Sequence, residues 1–244
     1  MIILVVPSSI AQNRKSKWDI SVSYGLALPV GDFKQTAPAK NIQVVPSSTP
    51  GVLNYYLYGI AKDGNSYAVN GQFGSLDVNY HIGEHWLMAL ALHHSRNSVN
   101  AQPFYDYMNT IQVAKMALIS NNDYNVTAWS AGLGYEFHHK QFRLILTPVI
   151  GQARISSPDY IFEWYTYPWF FDVTKLSNSI LLGLHGKIKY KVNSRFYASI
   201  KFDFDSANFD YTVKRHSPGT TFLFLDDRIT YRIFKLGLTF GMRF

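Results

Sequence analysis

The chain has 244 residues, with 23 Lys and Arg against 16 Asp and Glu and no cysteine. Its charged fraction of 16% lies below the about 25% of an ordinary soluble domain, while Phe, Trp and Tyr together make up another 16%. Lack of cysteine excludes a disulfide framework, a thiolate zinc site and a cysteine nucleophile, and past the N-terminus no run approaches the ~18 apolar residues of a spanning helix.

Residues Met1 to Val6 form an apolar run, and Ser9 and Ala11 place small residues at −3 and −1 of a signal-peptidase site before Gln12. Residues 1–11 therefore read as a signal-peptide remnant, 12–17 as a short polar periplasmic segment and 18–244 as one barrel domain. A basic n-region is missing, which points to a translation start upstream of Met1. The competing reading of the apolar run is a buried first strand.

From Trp18 onward the dominant period is two, the signature of strands with one apolar and one polar face. Trp18, Ile20, Val22, Tyr24, Leu26 and Leu28 open the series. Gly74–Tyr80, Trp86–Leu92 and Thr127–Phe137 continue it. Phe142–Ile150, Ile180–Tyr190, Phe196–Phe204 and Phe234–Phe244 complete eight strands. Pro148 has no amide hydrogen and is expected at a bulge or an unpaired position.

The connections alternate in length. Strands two and three, four and five, and six and seven are joined by short turns at Ile82–His85, His138–Gln141 and Val192–Ser194. The others are long, at about Asp32–Val69, Arg96–Asn125, Ser156–Asn178 and Ser206–Ile229. Short turns at one end and long loops at the other suit a barrel in an outer membrane, with turns and both termini in the periplasm. An eight-stranded lumen just accommodates side chains. The bulky apolar face is too large for it and the face of Gly, Ala, Ser and scattered charges fits, so the apolar face is expected to meet lipid. Trp18, Tyr80, Trp86, Phe137, Phe142, Tyr190, Phe196 and Phe244 fall at the turn end as an aromatic girdle.

The last strand carries Lys235, Gly237, Phe240, Met242 and Phe244 in alternation, ending on an aromatic. It resembles the terminal signal that outer-membrane barrels present to the barrel-assembly machinery, with Gly237, Phe240, Met242 and Phe244 as its elements. The mature chain resembles the small OmpA/OmpX-like outer-membrane β-barrel family, in a Bacteroidetes-type form from a Gram-negative cell envelope. That likeness implies an all-β, eight-stranded antiparallel up-and-down meander. It implies location and fold rather than a reaction. The chain stops at Phe244, so the peptidoglycan-binding domain that follows many such barrels is expected to be absent.

Glu136, Asp203 and Asp205 face the lumen with Lys187, Lys189 and Lys201, and Arg143, Lys235 and Arg243 lie nearby. These nine form a candidate charge network, since buried charges must pair or be solvated. The alternative is a narrow polar conduit for a small solute; a wide porin does not fit eight strands. His93 and Ser95, two apart, faintly resemble the pair of membrane-embedded lipid A deacylases, which gives a lipid-modifying enzyme as a further alternative. Adjacent His138 and His139 point to opposite sides and chelate a single metal poorly. No nucleotide fingerprint or zinc spacing is present, and no cofactor or catalytic residue is assigned.

The third loop holds eight aromatics among twelve residues: Tyr160, Phe162, Trp164, Tyr165, Tyr167, Trp169, Phe170 and Phe171. Exposed aromatic clusters mark interaction sites, and a loop that folds over the barrel mouth or extends a strand into an outer aromatic girdle explains them as well. The net charge of +7 is scattered without a basic stripe. It suits lipopolysaccharide phosphates better than nucleic acid. The expectation is a non-enzymatic outer-membrane barrel that presents its loops to a protein, a glycan or lipopolysaccharide.

Overall fold

The computed structural model describes residues 17–34, 42–46, 53–57, 66–100, 102, 118–120, 123–158, 160–164, 167–173, 177–216 and 223–244. In chain order the elements are β1 (Trp18–Pro29), a 3-10 turn (Gly31–Phe33), β2 (Ile42–Pro46), β3 (Leu53–Leu57), β4 (Gly71–His81) and β5 (Trp86–Asn97). There follow β6 (Leu118–Ser120), β7 (Tyr124–His139), β8 (Phe142–Ser156), β9 (Tyr160–Trp164), β10 (Tyr167–Val173), β11 (Ser177–Lys191), β12 (Phe196–His216) and β13 (Leu223–Arg243). Eight of these close a ring in the order β1-β4-β5-β7-β8-β11-β12-β13, and β13 pairs back onto β1. Each neighbour is antiparallel, so the all-β meander read from the sequence is the fold. The terminal residues complete the seam, with Phe244 N donating to Trp18 O at 2.8 Å.

The register fixes the barrel's shape. Pro29 pairs with Ile233, and the ladder then passes through Asp205, Gly183, Val149, Gly132, Ala89 and Asn79 to reach Asp19. One circuit returns to β1 ten residues from its start. For eight strands that shear implies a tilt of about 40° and a backbone radius of about 8 Å.

Alternation does the rest. Side chains of one parity are buried in the lumen and those of the other face outward. Leu238 is 74% exposed, whereas Lys201, Asp203, Asp205 and Lys235 are 0% exposed. Ile20, Val22, Leu26, Leu90, Leu92, Ile150, Ile180, Leu182, Leu236 and Phe240 share the outer surface with Leu238. Above them the outward positions turn polar, at Gln72, His94, Arg96, Thr127, Gln152, Arg154 and Arg232. The apolar band is about ten residues deep along each tilted strand, close to the ~25 Å band of a membrane barrel. A closed ring also leaves no backbone edge in lipid. The chain is a transmembrane β-barrel.

At the turn end the outer aromatics form contacting pairs. Trp18 and Tyr80 have ring centroids 4.8 Å apart, Trp86 and Tyr135 5.0 Å, Tyr135 and Phe137 4.7 Å, and Phe142 and Tyr190 5.5 Å. Lipid-facing Gly186 is covered by the ring of its cross-strand partner Phe202, into which a Cβ would run at 2.1 Å.

Two expectations need correction. The segment read as a fourth loop is largely strand: β12 runs on to His216 and β13 starts at Leu223, paired throughout. The third loop contains the β9–β10 hairpin, which extends the sheet by pairing with β12 and β6, and the first contains the β2–β3 hairpin. Alternation persists in these pieces, as at Tyr160, Phe162 and Trp164 and at Ala207, Phe209 and Tyr211, but they lie beyond the span that the outward apolar belt marks. Pro148 keeps its place opposite Leu184, while the β7–β8 ladder is interrupted at its level with no change of register. It is unpaired on its β7 side only, and no bulge forms.

Candidate functional site: the filled lumen

The lumen is the only extensive polar interior among the described residues, and it is layered. Nearest the turns, Asp19 of β1 accepts from Asn79 Nδ2 at 2.6 Å, Lys189 Nζ at 2.6 Å and the Tyr197 hydroxyl at 3.1 Å, with His81 Nε2 3.1 Å away. Glu136 accepts from Arg143 Nη1 at 2.9 Å, and His81 Nδ1 and His138 Nε2 lie 3.3 Å from its oxygens. His81 thus stands between two carboxylates. A cavity of about 80 Å³ opens here toward the turns.

One layer further in, Asp77 of β4 collects Lys201 Nζ at 2.7 Å and Lys187 Nζ at 3.2 Å. Lys201 also donates to Ser75 Oγ at 2.8 Å and lies 3.2 Å from Asp203, while Lys187 donates to Ser21 Oγ at 3.0 Å. A cavity of about 20 Å³ beside Asp77, His185 and Lys187 is large enough for about one water. Deeper still, Asp205 contacts Lys235 and lies 3.0 Å from His185 Nε2 and 3.4 Å from His93 Nε2. Every one of these carboxylates faces a cation or a donor, as burial requires.

Above Asp205 the chemistry changes. Ala207, Phe209, Ile229, Tyr231 and Ile233 bring the extended part of the β12–β13 hairpin into the interior. The 3-10 turn at the top of β1 swings Phe33 across the mouth, with its ring 5.0 Å from Tyr231 and 5.2 Å from Tyr124. Ala68 N donates to Phe33 O at 3.1 Å and Val69 N to Ser98 O at 2.8 Å, which docks residues 66–69 over the ring cluster. Tyr67 is fully buried with φ of 53°, a left-handed conformation uncommon for an aromatic residue. Burial, and next to it the Tyr124 phenol, push its hydroxyl well above the ordinary value of 10.0.

The nine charges of the candidate network separate by depth. Glu136 and Arg143 pair near the turns and Arg243 borders the cavity there. Lys189 joins that layer through Asp19, Lys187, Lys201 and Asp203 hold the middle, and Asp205 and Lys235 the top. The network also needs Asp19 and Asp77, the acids that Lys189, Lys187 and Lys201 contact, and the imidazoles of His81, His93 and His185. Their inward parity was visible in the sequence; their partners were not.

His93 and Ser95 both face the lumen, not the lipid. His93 is 2% exposed and directed at Asp205, and the Ser95 hydroxyl sits 3.2 Å from that of Tyr231. A dyad so buried cannot touch an acyl chain, which removes His93 and Ser95 as the basis of the lipid-modifying alternative. His138 is at the turn end, its ring 5.2 Å from that of His85.

In the third loop, Tyr160, Phe162 and Trp164 lie on β9, and Tyr167, Trp169, Phe170 and Phe171 on β10. Tyr165 lies outside the described residues, as does the proposed signal-peptide segment. Of the terminal-strand residues, Phe240 and Phe244 are exposed to lipid and Met242 is half-buried. Gly237 faces inward, where a Cβ would stand 2.6 Å from Tyr24 O and 2.8 Å from the Phe73 ring.

No family model matches the chain, and no curated protein does. Solved structures resemble it at low identity. The attachment invasion locus protein Ail of Yersinia pestis is 10% identical over 95% of this chain and 100% of its own, with a TM-score of 0.42. Outer membrane protein OprG of Pseudomonas aeruginosa is 12% identical over 93% and 96%, at 0.46. The outer membrane protease OmpT of Escherichia coli is 8% identical over 97% and 99%, at 0.45. At such identities and scores these likenesses carry no function over to this chain.

Proposed function

We propose that the protein is an integral outer-membrane barrel with its turns and termini in the periplasm and a non-enzymatic interaction role at its loop end. The observation that carries this reading is the filled lumen. Ion pairs occupy it from Asp19 to Asp205 and aromatic rings occupy it from Tyr231 to Phe33. Lipid covers the belt, so the loop end is the large surface available to a partner. The β9–β10 hairpin carries Tyr160 to Phe171 there, residue types suited to a protein, a glycan or lipopolysaccharide. The terminal strand, with Gly237, Phe240, Met242 and Phe244, is the segment offered to the assembly machinery.

Deleting residues 160–171 is expected to abolish co-purification of partners from native outer membranes while the barrel remains heat-modifiable on gels. Retention of the same partners sinks the assignment. A second reading, a narrow conduit, draws on the polar column and its two cavities. Purified protein in planar bilayers is expected to be silent; steady single-channel steps favour the conduit instead.

A further inference from the structure

We propose that the cavity at the turn end is a binding site for a small oxyanion, a phosphate or carboxylate group, offered from the compartment that the turns face. The cavity of about 80 Å³ is bordered by Arg143, Lys189, Lys191, Arg195 and Arg243, with Asp19 and Glu136 as its acids. Five cations thus surround two carboxylates. Both carboxylates are already served. Asp19 has Asn79, His81, Lys189 and Tyr197 around it, and Glu136 has Arg143, His81 and His138. Lys189 and Arg143 are ion-paired with these acids, so the positive charge open to an anion is that of Lys191 and Arg195 at the mouth.

The rim is built to hold that charge in place. Asn193 Oδ1 accepts from the backbone amides of Arg195 at 2.9 Å and Phe196 at 2.8 Å, and Val192 N donates to Phe196 O at 3.1 Å. Arg243 N donates to Arg195 O at 2.8 Å, which ties this turn to the end of β13. Lys191 and Arg195 are exposed at the mouth. A recess lined mainly by one sign of charge focuses field and concentrates the opposite ion. Guanidinium groups add forked donors that match carboxylate and phosphate oxygens. The volume of about 80 Å³ exceeds the about 10–15 Å³ that one water needs and leaves room for a small oxyanion. This site lies at the opposite end from the loops and is independent of their role.

The test is titration of the folded barrel, in uncharged maltoside micelles, with inorganic phosphate and separately with acetate, read by calorimetry. Saturable binding of at least one is expected, and the preferred ion names the class. Lys191→Ala with Arg195→Ala is expected to weaken it about tenfold or more, since each removes a charge-assisted contact. Arg195→Gln alone supplies the reading if the pair does not refold. Lys140→Ala, in the exposed turn between β7 and β8, leaves affinity unchanged, as does deletion of residues 160–171. Absence of saturable binding by either ion overturns the proposal, and so does equal weakening by Lys140→Ala, which marks a response to net charge alone.

Discussion

Between Asp19 and Asp205 the lumen is filled by charges that satisfy one another; between Ala207 and the mouth it is filled by rings and aliphatic side chains. The two halves meet the same demand, the filling of a narrow interior, by different physics. The charged half depends on complementarity. Each buried ion is costly alone, and its worth lies in its neighbour. The aromatic half depends on volume, so its members can be removed one at a time at the cost of the space they leave. A barrel wall of fixed shear imposes both, because it brings unlike strands to one level whatever their distance in the chain.

The largest expected effect belongs to the charged half. Asp77→Ala takes the shared carboxylate from Lys187 and Lys201 and is expected to destabilise the barrel by about 3–5 kcal/mol, measured by urea unfolding in lipid vesicles. Asp77→Leu with Lys187→Met is expected to recover much of that loss, because the stranded charge goes with its partner. If the double change is as costly as the single, complementarity is not what holds this half.

Phe33→Ala is expected to cost about 3 kcal/mol through the cavity it leaves, with no comparable rescue. Planar bilayers sharpen the comparison. The variant should stay silent, because the charged layers below still fill the lumen; steady conductance would make the ring cluster the sole closure.

The smallest effect is expected at Tyr67. Its raised phenol pKa means that the folded state holds the proton more tightly than the unfolded chain does. The associated stability is fully present below the unfolded value of 10.0 and is lost as pH rises above it. Tyr67→Phe should therefore unfold at the same denaturant concentration as the parent at neutral pH, apart from any lost hydroxyl contact, and should lose less on going to pH 11. Identical alkaline profiles would show that the Tyr67 phenol is not held in the folded interior.

Much of the wall was legible. Period-two alternation from Trp18 to Phe244 marked all eight barrel strands, because lipid outside and a narrow lumen inside demand opposite side chains at successive positions. The terminal aromatics were legible for the same reason. Within the lumen, Lys187, Lys189, Lys201 and Asp203 could be assigned to the inner face. Which acids they meet could not be read: Lys189 meets Asp19 across 170 residues and Lys201 meets Asp77 across 124. No local pattern encodes pairings that depend on the shear of the closed ring. Phe33 and Phe209 stood in segments read as loops and Tyr231 between the fourth loop and the last strand, since nothing in their neighbourhoods announces that a 3-10 turn and a prolonged hairpin will carry them inward.

The sequence by itself determined the strand period, the outward belt and the poverty of charge that first set the chain apart from soluble domains. Each follows from which solvent a residue faces, a property of single positions. Tertiary structure alone decided that the eight strands close into a ring, that the charges inside it stack in layers with Asp19, Asp77 and Asp205 as centres, and that five cations border one cavity at the turns. Those are properties of closure: until β13 meets β1, no residue has a neighbour across the barrel.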